Sequence, residues 1–338
     1  MRFTLGCGTV AGVTRILTAG VVLLSAGPAF GQGFEAIGTR AAGMGGAFVA
    51  VADDASAVYW NPAGLALGGS YFSLVLDGGT SEADPDDVAR AGRHSNGIIA
   101  LSTLPLGLSY YRLTSAYVAA TPTLASAPPS SVEHLATHHI GLTFVQSVIS
   151  GIAVATTVKA VRGYAGNGVY LGGETDALLD AADNLPDRGT TRFDADIGVL
   201  TSYRSIRAGV TIRNVTEPDF STPADVDVEL KRQTRAGIAY VGLSGVILAG
   251  DIDIERTRGS LGERRNLAAG AEARVVRRVT VRSGFRFNTL SDEPGGHAPV
   301  AAFGASVATF KSLLVDGQMT VGSKYGDRGW GIAARLVY

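Results

Sequence analysis

The stretch from Gly38 to Leu65 reads GTRAAGMGGAFVAVADDASAVYWNPAGL. It consists mostly of small, apolar residues, with adjacent acids at Asp53 and Asp54 and an Asn-Pro-Ala-Gly element near its end. Glycine lets a backbone approach a neighbouring surface closely, and Asn-Pro is typical of a helix N-cap followed by its first turn. The pattern therefore predicts a compact segment of short turns that packs against another surface.

The residues before this stretch predict a secretory signal. Arg2 and Arg15 flank a positive region, the apolar run that follows over 16–26 is too short to span a membrane, and small residues stand near 29–31. We therefore expect residues 1–31 to be a cleaved signal peptide and the mature chain to be exported. Cys7, the only cysteine, lies inside that signal, so we expect no disulfide and no cysteine-based metal site in the mature protein.

The composition narrows the class of protein further. The 338 residues carry a formal net charge of -1, which argues against nucleic acid as a partner. No segment after the signal reaches the roughly eighteen uninterrupted apolar residues that a spanning helix needs. The 45 glycines and the 17% of charged residues favour many short strands and turns instead.

From about residue 70 onward, apolar and polar residues alternate with the period of two that is typical of strands. In the last run Trp330, Ile332 and Leu336 share one face, and Arg335 lies on the other. Such runs predict about fourteen strands, an even number within the range of outer-membrane barrels. They are placed at 70–76, 96–104, 106–114, 138–148, 151–162, 191–203, 205–214, 231–241, 245–256, 264–275, 278–288, 299–309, 312–322 and 329–338.

The connections alternate between tight turns and long polar loops. Short turns on one side and long loops on the other are typical of a barrel whose turns face the periplasm. The long loops are placed at 77–95, 115–137, 163–190, 215–230, 257–263, 289–298 and 323–328.

Aromatic residues stand at both ends of the predicted strands, as expected for rings at the two membrane interfaces. Tyr203, Tyr240, Phe310 and Tyr338 are at the turn end, and Phe193 and Trp330 are at the loop end. A secreted β-sandwich also alternates, but it gives no reason for this placement. We predict an all-β fold, a transmembrane antiparallel β-barrel of about fourteen strands over 69–338.

A barrel of this size has a lumen wider than its own side chains can fill. Residues 32–68 precede the first strand, and we predict that they form an N-terminal hatch inside the lumen. Asp53 or Asp54 would cap a short helix over 55–59, and a buried Arg40 would need one of these carboxylates. The residues predicted to form the hatch are Arg40, Gly43, Gly45, Gly46, Asp53, Asp54, Asn61, Pro62 and Ala63, with Gly64 closing the last turn.

The same residues carry a resemblance to a known family. The string Arg40-x-x-Gly43-Met44-Gly45-Gly46-Ala47, followed by Asp53-Asp54 and by Asn61-Pro62-Ala63-Gly64-Leu65, resembles the N-terminal hatch signature of the FadL/OMPP1 outer-membrane superfamily. Its Met-Gly-Gly-Ala and Asp-Asp elements are most similar to the PorV/PorQ branch.

The resemblance implies a fourteen-stranded barrel in the bacterial outer membrane, surrounded by outer-membrane lipid and occluded by its hatch. For the FadL branch it implies passive transport of hydrophobic or amphipathic small molecules. For the PorV branch it implies a secretion-system component that holds exported proteins. The chain is shorter than the fatty-acid transporters, which argues against a fatty-acid substrate. We expect no cofactor, and we expect no enzyme activity because neither a Gly-x-Ser-x-Gly elbow nor a zinc-protease motif is present.

Two long loops hold candidate ligand contacts. In the run ETDALLDAADNL, over 174–185, Leu178, Leu179 and Leu185 share one helical stripe. Such a helix either caps the barrel mouth and receives a ligand or simply rests on the rim. Tyr117, in the loop predicted over 115–137, is the second place where we expect ligand contact.

Charged residues on the predicted inner faces have mixed signs. They form either a polar path or a network that fastens wall to wall and wall to hatch. An ion-selective porin would show one dominant sign. His134 and His138 have a spacing that would suit a metal only on a helix, and we expect no metal site. The inner charges are Asp194, Asp196, Arg207, Arg213, Arg235, Asp251, Asp253, Glu255, Arg264, Glu272, Arg274, Arg282, Arg286 and Arg335.

Overall fold

The computed structural model describes most of the chain after the predicted signal. The described residues are 37–68, 71–83, 90–120, 129–221, 223, 227–259, 262–290, 297–310, 312–323 and 327–338. The predicted signal peptide and residues 32–36 of the predicted hatch lie outside them.

Fourteen strands pair antiparallel with their neighbours and form a closed barrel, which confirms the predicted fold class. Closure joins the first strand to the last, with Ser73 opposite Val337 and Glu82 opposite Arg328. The barrel strands are β1 (Ser73–Ala83), β2 (Arg90–Thr103), β3 (Leu106–Ala120), β4 (Pro129–Ile149), β5 (Ile152–Leu171), β6 (Arg188–Tyr203), β7 (Ile206–Arg213), β10 (Gln233–Leu243), β11 (Val246–Asp253), β14 (Asn266–Val276), β15 (Val279–Asn288), β16 (Val300–Ala308), β17 (Leu313–Gly322) and β18 (Arg328–Val337).

The remaining elements lie in the connections or before the first strand. Two small hairpins pair β8 (Asp219–Ser221) with β9 (Asp227–Glu229), and β12 (Thr257–Gly259) with β13 (Gly262–Arg264). The helices are α1 (Thr39–Gly43), α2 (Ala57–Trp60), a 3-10 helix (Pro62–Leu67) and α3 (Thr175–Asp183). Within the described ranges, none of these helices is long and apolar enough to cross a bilayer.

The two faces of the wall have the predicted alternation. Phe285, Met319 and Ile332 are exposed on the outer face, whereas Arg282 and Arg335 are buried on the inner face. An apolar outer band with a polar interior is the pattern of a membrane-spanning barrel, because lipid contacts one side of each strand only. The aromatic residues predicted at the strand ends, Tyr203, Tyr240, Phe310, Tyr338, Phe193 and Trp330, are all exposed.

The strands β2 to β6 are longer than predicted, and this corrects several of the predicted loops. β4 begins at Pro129 rather than 138, and β5 continues to Leu171 rather than 162. The alternation is lost in these ends because both of their faces are covered, so that apolar and small residues occur at both parities. Ala116 and Val132 are buried on the outer side, and Val161 is buried on the inner side.

Candidate functional site: the barrel lumen

Residues 37–68, called the N-terminal segment below, lie inside the barrel. α1 contacts β15 to β18 and β1, while the 3-10 helix contacts β4 to β6 on another side of the ring. Met44, Phe48 and Trp60 are completely buried. A segment that contacts strands all round a closed barrel and is shielded from solvent fills the lumen at that level.

The backbone of the segment approaches the wall at glycines, as predicted for Gly43 and Gly45. A Cβ on Gly43 would lie 3.2 Å from the Cα of Gly304. Gly45 has a φ of 68°, and a Cβ there would lie 2.6 Å from the backbone nitrogen of Phe285. The wall contributes glycines as well, because a Cβ on Gly284 would overlap the backbone between Met44 and Gly45.

The helix predicted over 55–59, after Asp53 and Asp54, begins two residues later than predicted. The Asp54 Oδ1 accepts hydrogen bonds from the Ser56 backbone N–H (2.9 Å) and from its hydroxyl (2.5 Å), and α2 starts only at Ala57. Ser56 is the N-cap residue by position, and its side chain donates to Asp54 rather than capping the helix. Asp54 thus shapes the turn that leads into α2.

The Asn-Pro element forms the predicted N-cap and first turn. The Asn61 Oδ1 accepts from the Ala63 backbone N–H (3.1 Å), and its Nδ2 donates to the carbonyl of Val199 in β6 (3.1 Å). The Gly64 backbone N–H donates to the Asn61 carbonyl oxygen (2.8 Å) and closes this first turn, but Gly64 does not end the helix, because the 3-10 helix continues to Leu67. Gly64 is also required by packing, since a Cβ there would overlap the carbonyl oxygen of Ala52.

Arg40 stands at the centre of a buried charge cluster that joins the segment to the wall. Its guanidinium lies 2.6 Å from Asp53, 3.0 Å from Asp54 and 2.9 Å from Glu272 of β14. The pairing of Arg40 with the two acids was predicted, whereas its bond to Glu272 was not. We call this group, with the wall residues that extend it, the Arg40 cluster: Arg40, Asp53, Asp54, Glu272, Arg282, Asp316 and Arg335.

The wall residues of the Arg40 cluster bond one another as well as the segment. Arg282 reaches Glu272 at 2.6 Å and Asp316 at 3.3 Å. Arg335 of β18 reaches Asp54 at 3.0 Å. Because each of these charges contacts an opposite charge, the geometry favours the fastening network over the polar path.

Other charged residues predicted on the inner face also bond specific partners and do not form a continuous polar path through the lumen. Asp251 accepts from the backbone N–H groups of Phe48 (2.8 Å) and Val49 (2.9 Å), and Arg235 bonds Asp253 at 2.6 Å. Glu255 lies 3.7 Å from Arg232, and Arg207 lies 3.7 Å from Asp53. Arg274 is a correction, because it is exposed near the turn that follows β14.

Arg286 bonds Asp327, which lies in the connection before β18. Burial alone would raise the pKa of Asp327, but the charges of Arg286, Arg264 and His94 hold that pKa below its ordinary value. Asp327 is therefore ionised at neutral pH and neutralises Arg286 at the loop end of the lumen.

A second buried cluster is centred on Lys159, which the sequence did not single out, although Asp194 and Asp196 were predicted to be inner charges. Its Nζ lies 2.6 Å from Asp196 and 3.0 Å from Asp194, and it donates to the Asn214 side chain at 3.2 Å. Asn214 has a φ of 54°, and Thr216 donates to Asp194. We call Lys159, Asp194, Asp196 and Asn214 the Lys159 cluster; it fixes the start of the link between β7 and β10.

That link turns into the loop end of the lumen through the β8–β9 hairpin. Phe220 is fully buried and packs with Leu135 and Val161, on the inner face of β4 and β5. A Cβ on Gly163 would overlap the Phe220 ring. Phe220 is the single aromatic residue of the predicted loop 215–230, but nothing in the sequence indicates which wall residue it meets.

The helix predicted in the run 174–185 is present as α3, but it does not cover the mouth. Leu178 and Leu179 are buried against Ala116 and Val132. These two strand residues share a face with Tyr110 and Ile140, which are exposed on the outer side of the barrel. α3 therefore packs on the outside of the wall, and the expected landing site over the mouth is not formed by this helix.

The structure also shows where the other residues predicted to contact a ligand or a metal lie. Leu185 packs beside α3 and does not line the lumen. Tyr117 belongs to β3 rather than to a loop, and its ring meets His94 edge to face at 5.2 Å. His134 and His138 lie on a strand, and no group of three His, Cys, Asp or Glu in the described part of the chain could hold a metal ion.

Replacement of Arg40 tests the strength of its cluster. Arg40→Leu leaves buried carboxylates without their shared cation, so we expect a loss of about 3–5 kcal/mol in the free energy of unfolding. Arg192→Leu is the matched control, because Arg192 and Asp219 pair at 3.1 Å with both side chains partly exposed; its loss should be about 0–1 kcal/mol. Denaturant unfolding of both variants in the same detergent checks this, and equal losses would contradict it.

Known proteins with a similar fold include hydrocarbon channels. The chain aligns with a monoaromatic hydrocarbon channel, CymD, at 13% identity and a TM-score of 0.63, over 89% of this chain and 97% of that one. It aligns with the toluene transporter TbuX of Ralstonia pickettii at 15% identity and a TM-score of 0.62, over 90% and 99%. The chain has the fold of these channels.

One further solved structure and one family model also match the chain. A FadL homologue of Pseudomonas aeruginosa aligns at 10% identity and a TM-score of 0.59, over 92% of this chain and 98% of that one. The family model described as "F plasmid transfer operon, TraF, protein" matches residues 179–253, which is less than a quarter of the chain. No curated protein sequence matches.

Proposed function

We propose that the protein is an outer-membrane barrel that acts as a passive conduit for small hydrophobic or amphipathic molecules. In this proposal the signal peptide is removed on export, the N-terminal segment is a hatch, and no cofactor or energy source takes part. The proposed gating residues are those predicted to form the hatch, from Arg40 to Ala63. The likeness in fold to proteins described as hydrocarbon channels supports the proposal.

The observation that carries the proposal is how the N-terminal segment is attached. It fills the lumen, yet its described residues form no strand of the barrel sheet. Its polar contacts with the wall run through side chains such as Glu272, Asp251 and Asp77. Such contacts can be exchanged for water without breaking a strand ladder, and in this proposal the segment moves while the barrel stays closed.

Membership of the FadL/OMPP1 superfamily is part of the proposal and explains the hatch signature. The finer likeness to the PorV/PorQ branch rests on the Met44–Ala47 and Asp53–Asp54 elements alone.

A reversible lock on the segment tests this function. The Thr39 Oγ1 lies 3.1 Å from the Asp77 Oδ1, so the double variant Thr39→Cys, Asp77→Cys places two thiols side by side between segment and wall. We expect toluene uptake by intact cells to depend on the gene, to be lost in the oxidised variant and to return with reductant. The reduced variant is the matched control. Equal uptake by the oxidised and the reduced variant would contradict the hatch. Equal uptake by cells with and without the gene would contradict the conduit.

A protein-binding role in secretion or transfer is the second candidate. It is favoured by the match of residues 179–253, which include the β8–β9 hairpin and only the last five residues of α3, to the transfer-operon family model. Under this role, deletion of the gene should cause exported proteins to accumulate in the periplasm without changing toluene uptake. Quantitative proteomics of periplasmic fractions, measured beside uptake, separates the two roles.

A further inference from the structure

A cavity of about 380 Å³ lies between the N-terminal segment and the barrel wall, at the end where the short turns are. Ala66 and Leu67 of the 3-10 helix form one side. Ala153 of β5 and Leu200 of β6 form the other side, and both are buried on the inner face. The cavity is thus bounded partly by a wall that is fixed and partly by a segment that is held through side chains.

The lining of this cavity differs from the rest of the lumen because it carries no charge. Its described residues are apolar except for glycine and the hydroxyl groups of Ser147, Ser150 and Ser202. Elsewhere the lumen holds the Arg40 cluster and the Lys159 cluster. The cavity opens to solvent along the exposed residues Ser147, Ile149 and Ser150, whereas Ala153 and Leu200 at its inner end are buried. A charged group held against this inner end would lose its water without gaining a partner, which is costly. The lining therefore favours a neutral molecule over a carboxylate or an ammonium group.

The volume sets the size of the occupant. An apolar cavity of about 150 Å³ is enough to hold benzene, and ligand pockets usually begin at about 300 Å³. We propose that this cavity is a binding site for one neutral, mainly apolar molecule the size of a substituted benzene ring, with at most one polar atom directed to the serine hydroxyls. The inference rests on the proposed function, because it gives such a molecule a binding site within the same lumen.

Two measurements test this site, one for its position and one for its affinity, and both use the complete mature barrel. Crystals soaked in bromobenzene should show the anomalous signal of bromine between Leu67 and Leu200. In nanodiscs, fluorobenzene should give a protein-bound 19F NMR signal. Ala153→Phe fills the cavity and should weaken fluorobenzene binding by about tenfold or more.

The control variant adds the same bulk on the other side of the wall. Val154 is the next residue of β5 and faces outward, so Val154→Phe should leave fluorobenzene binding unchanged. Ser147→Phe is a second filling variant, placed on the exposed side of the cavity where the fold tolerates bulk. It serves if Ala153→Phe does not fold.

Bromine in the cavity, together with weakened binding in a filled variant, supports the site. Bromine found only on the lipid-facing surface, binding seen in crystals but not in nanodiscs, or unchanged affinity in a folded filled variant overturns it. Toluene uptake by cells separates this failure from that of the conduit. Gene-dependent uptake without binding in the cavity overturns the site alone, whereas binding without gene-dependent uptake overturns the conduit and supports the site.

Discussion

Deletion of residues 38–65 is expected to turn a closed barrel into an open pore, with single-channel conductance rising by about tenfold or more because the lumen of so wide a barrel then fills with water. The deletion removes Phe48, Tyr59 and Trp60, which are among the largest fully buried side chains of the described chain. The barrel itself should persist, because its fourteen strands pair all round without the segment. Planar-bilayer recording measures the conductance, and circular dichroism checks the strand content.

The matched control for this deletion removes a helix of the wall exterior. α3 packs on the outer face, so a deletion of 174–186 bridged by a short linker should leave the conductance unchanged. An unchanged conductance after loss of 38–65 would mean that the segment does not close the lumen. A rise after loss of α3 would mean that the helix, and not the segment, controls the opening.

A single methyl group on the wall is expected to displace the segment. In Gly284→Ala the new Cβ would overlap backbone atoms of Met44 and Gly45, and the backbone on neither side can rotate away as a side chain would. Overpacking of this kind costs about 1–3 kcal/mol, and we expect either that loss of stability or a partial opening of the lumen. Thermal unfolding and conductance, measured on one preparation, distinguish the two responses.

Two comparisons assign this effect to the contact. Gly317 of β17 has open space where a Cβ would stand, so Gly317→Ala should change neither stability nor conductance. In the barrel lacking 38–65, Gly284→Ala should also have no effect, because the backbone that it meets is absent. An equal loss in the complete and the shortened barrel would show that the methyl group acts on the wall alone.

The barrel could be predicted because its signal is local. Along β18 the exposed Trp330 and Ile332 and the buried Arg335 follow from the period of two alone. The pairing of Arg40 with Asp53 and Asp54 was equally accessible, since these residues lie within fifteen positions of one another.

The partners on the wall could not be predicted, because they depend on the register of the whole ring. Phe48 and Asp251 are separated by 203 positions in the sequence, and their hydrogen bond exists only once the barrel has closed. Gly284 gives no sign in the sequence that it faces Met44. The apolar stripe of α3 predicted that this face is buried, but it cannot tell the outer side of a wall from its mouth.

The unequal strand lengths make one side of the barrel taller than the other. β18 has 10 residues, close to the 9–11 that are enough to cross a bilayer, whereas β4 has 21. At about 3.3 Å per residue, the additional length raises that side of the ring tens of ångströms above the level of the other. A protein that diffuses in the plane of the membrane meets long strands, covered on the outside by α3, on one side of the barrel. On the opposite side it meets short strands. The approach to this barrel is therefore directional, although the ring itself is closed.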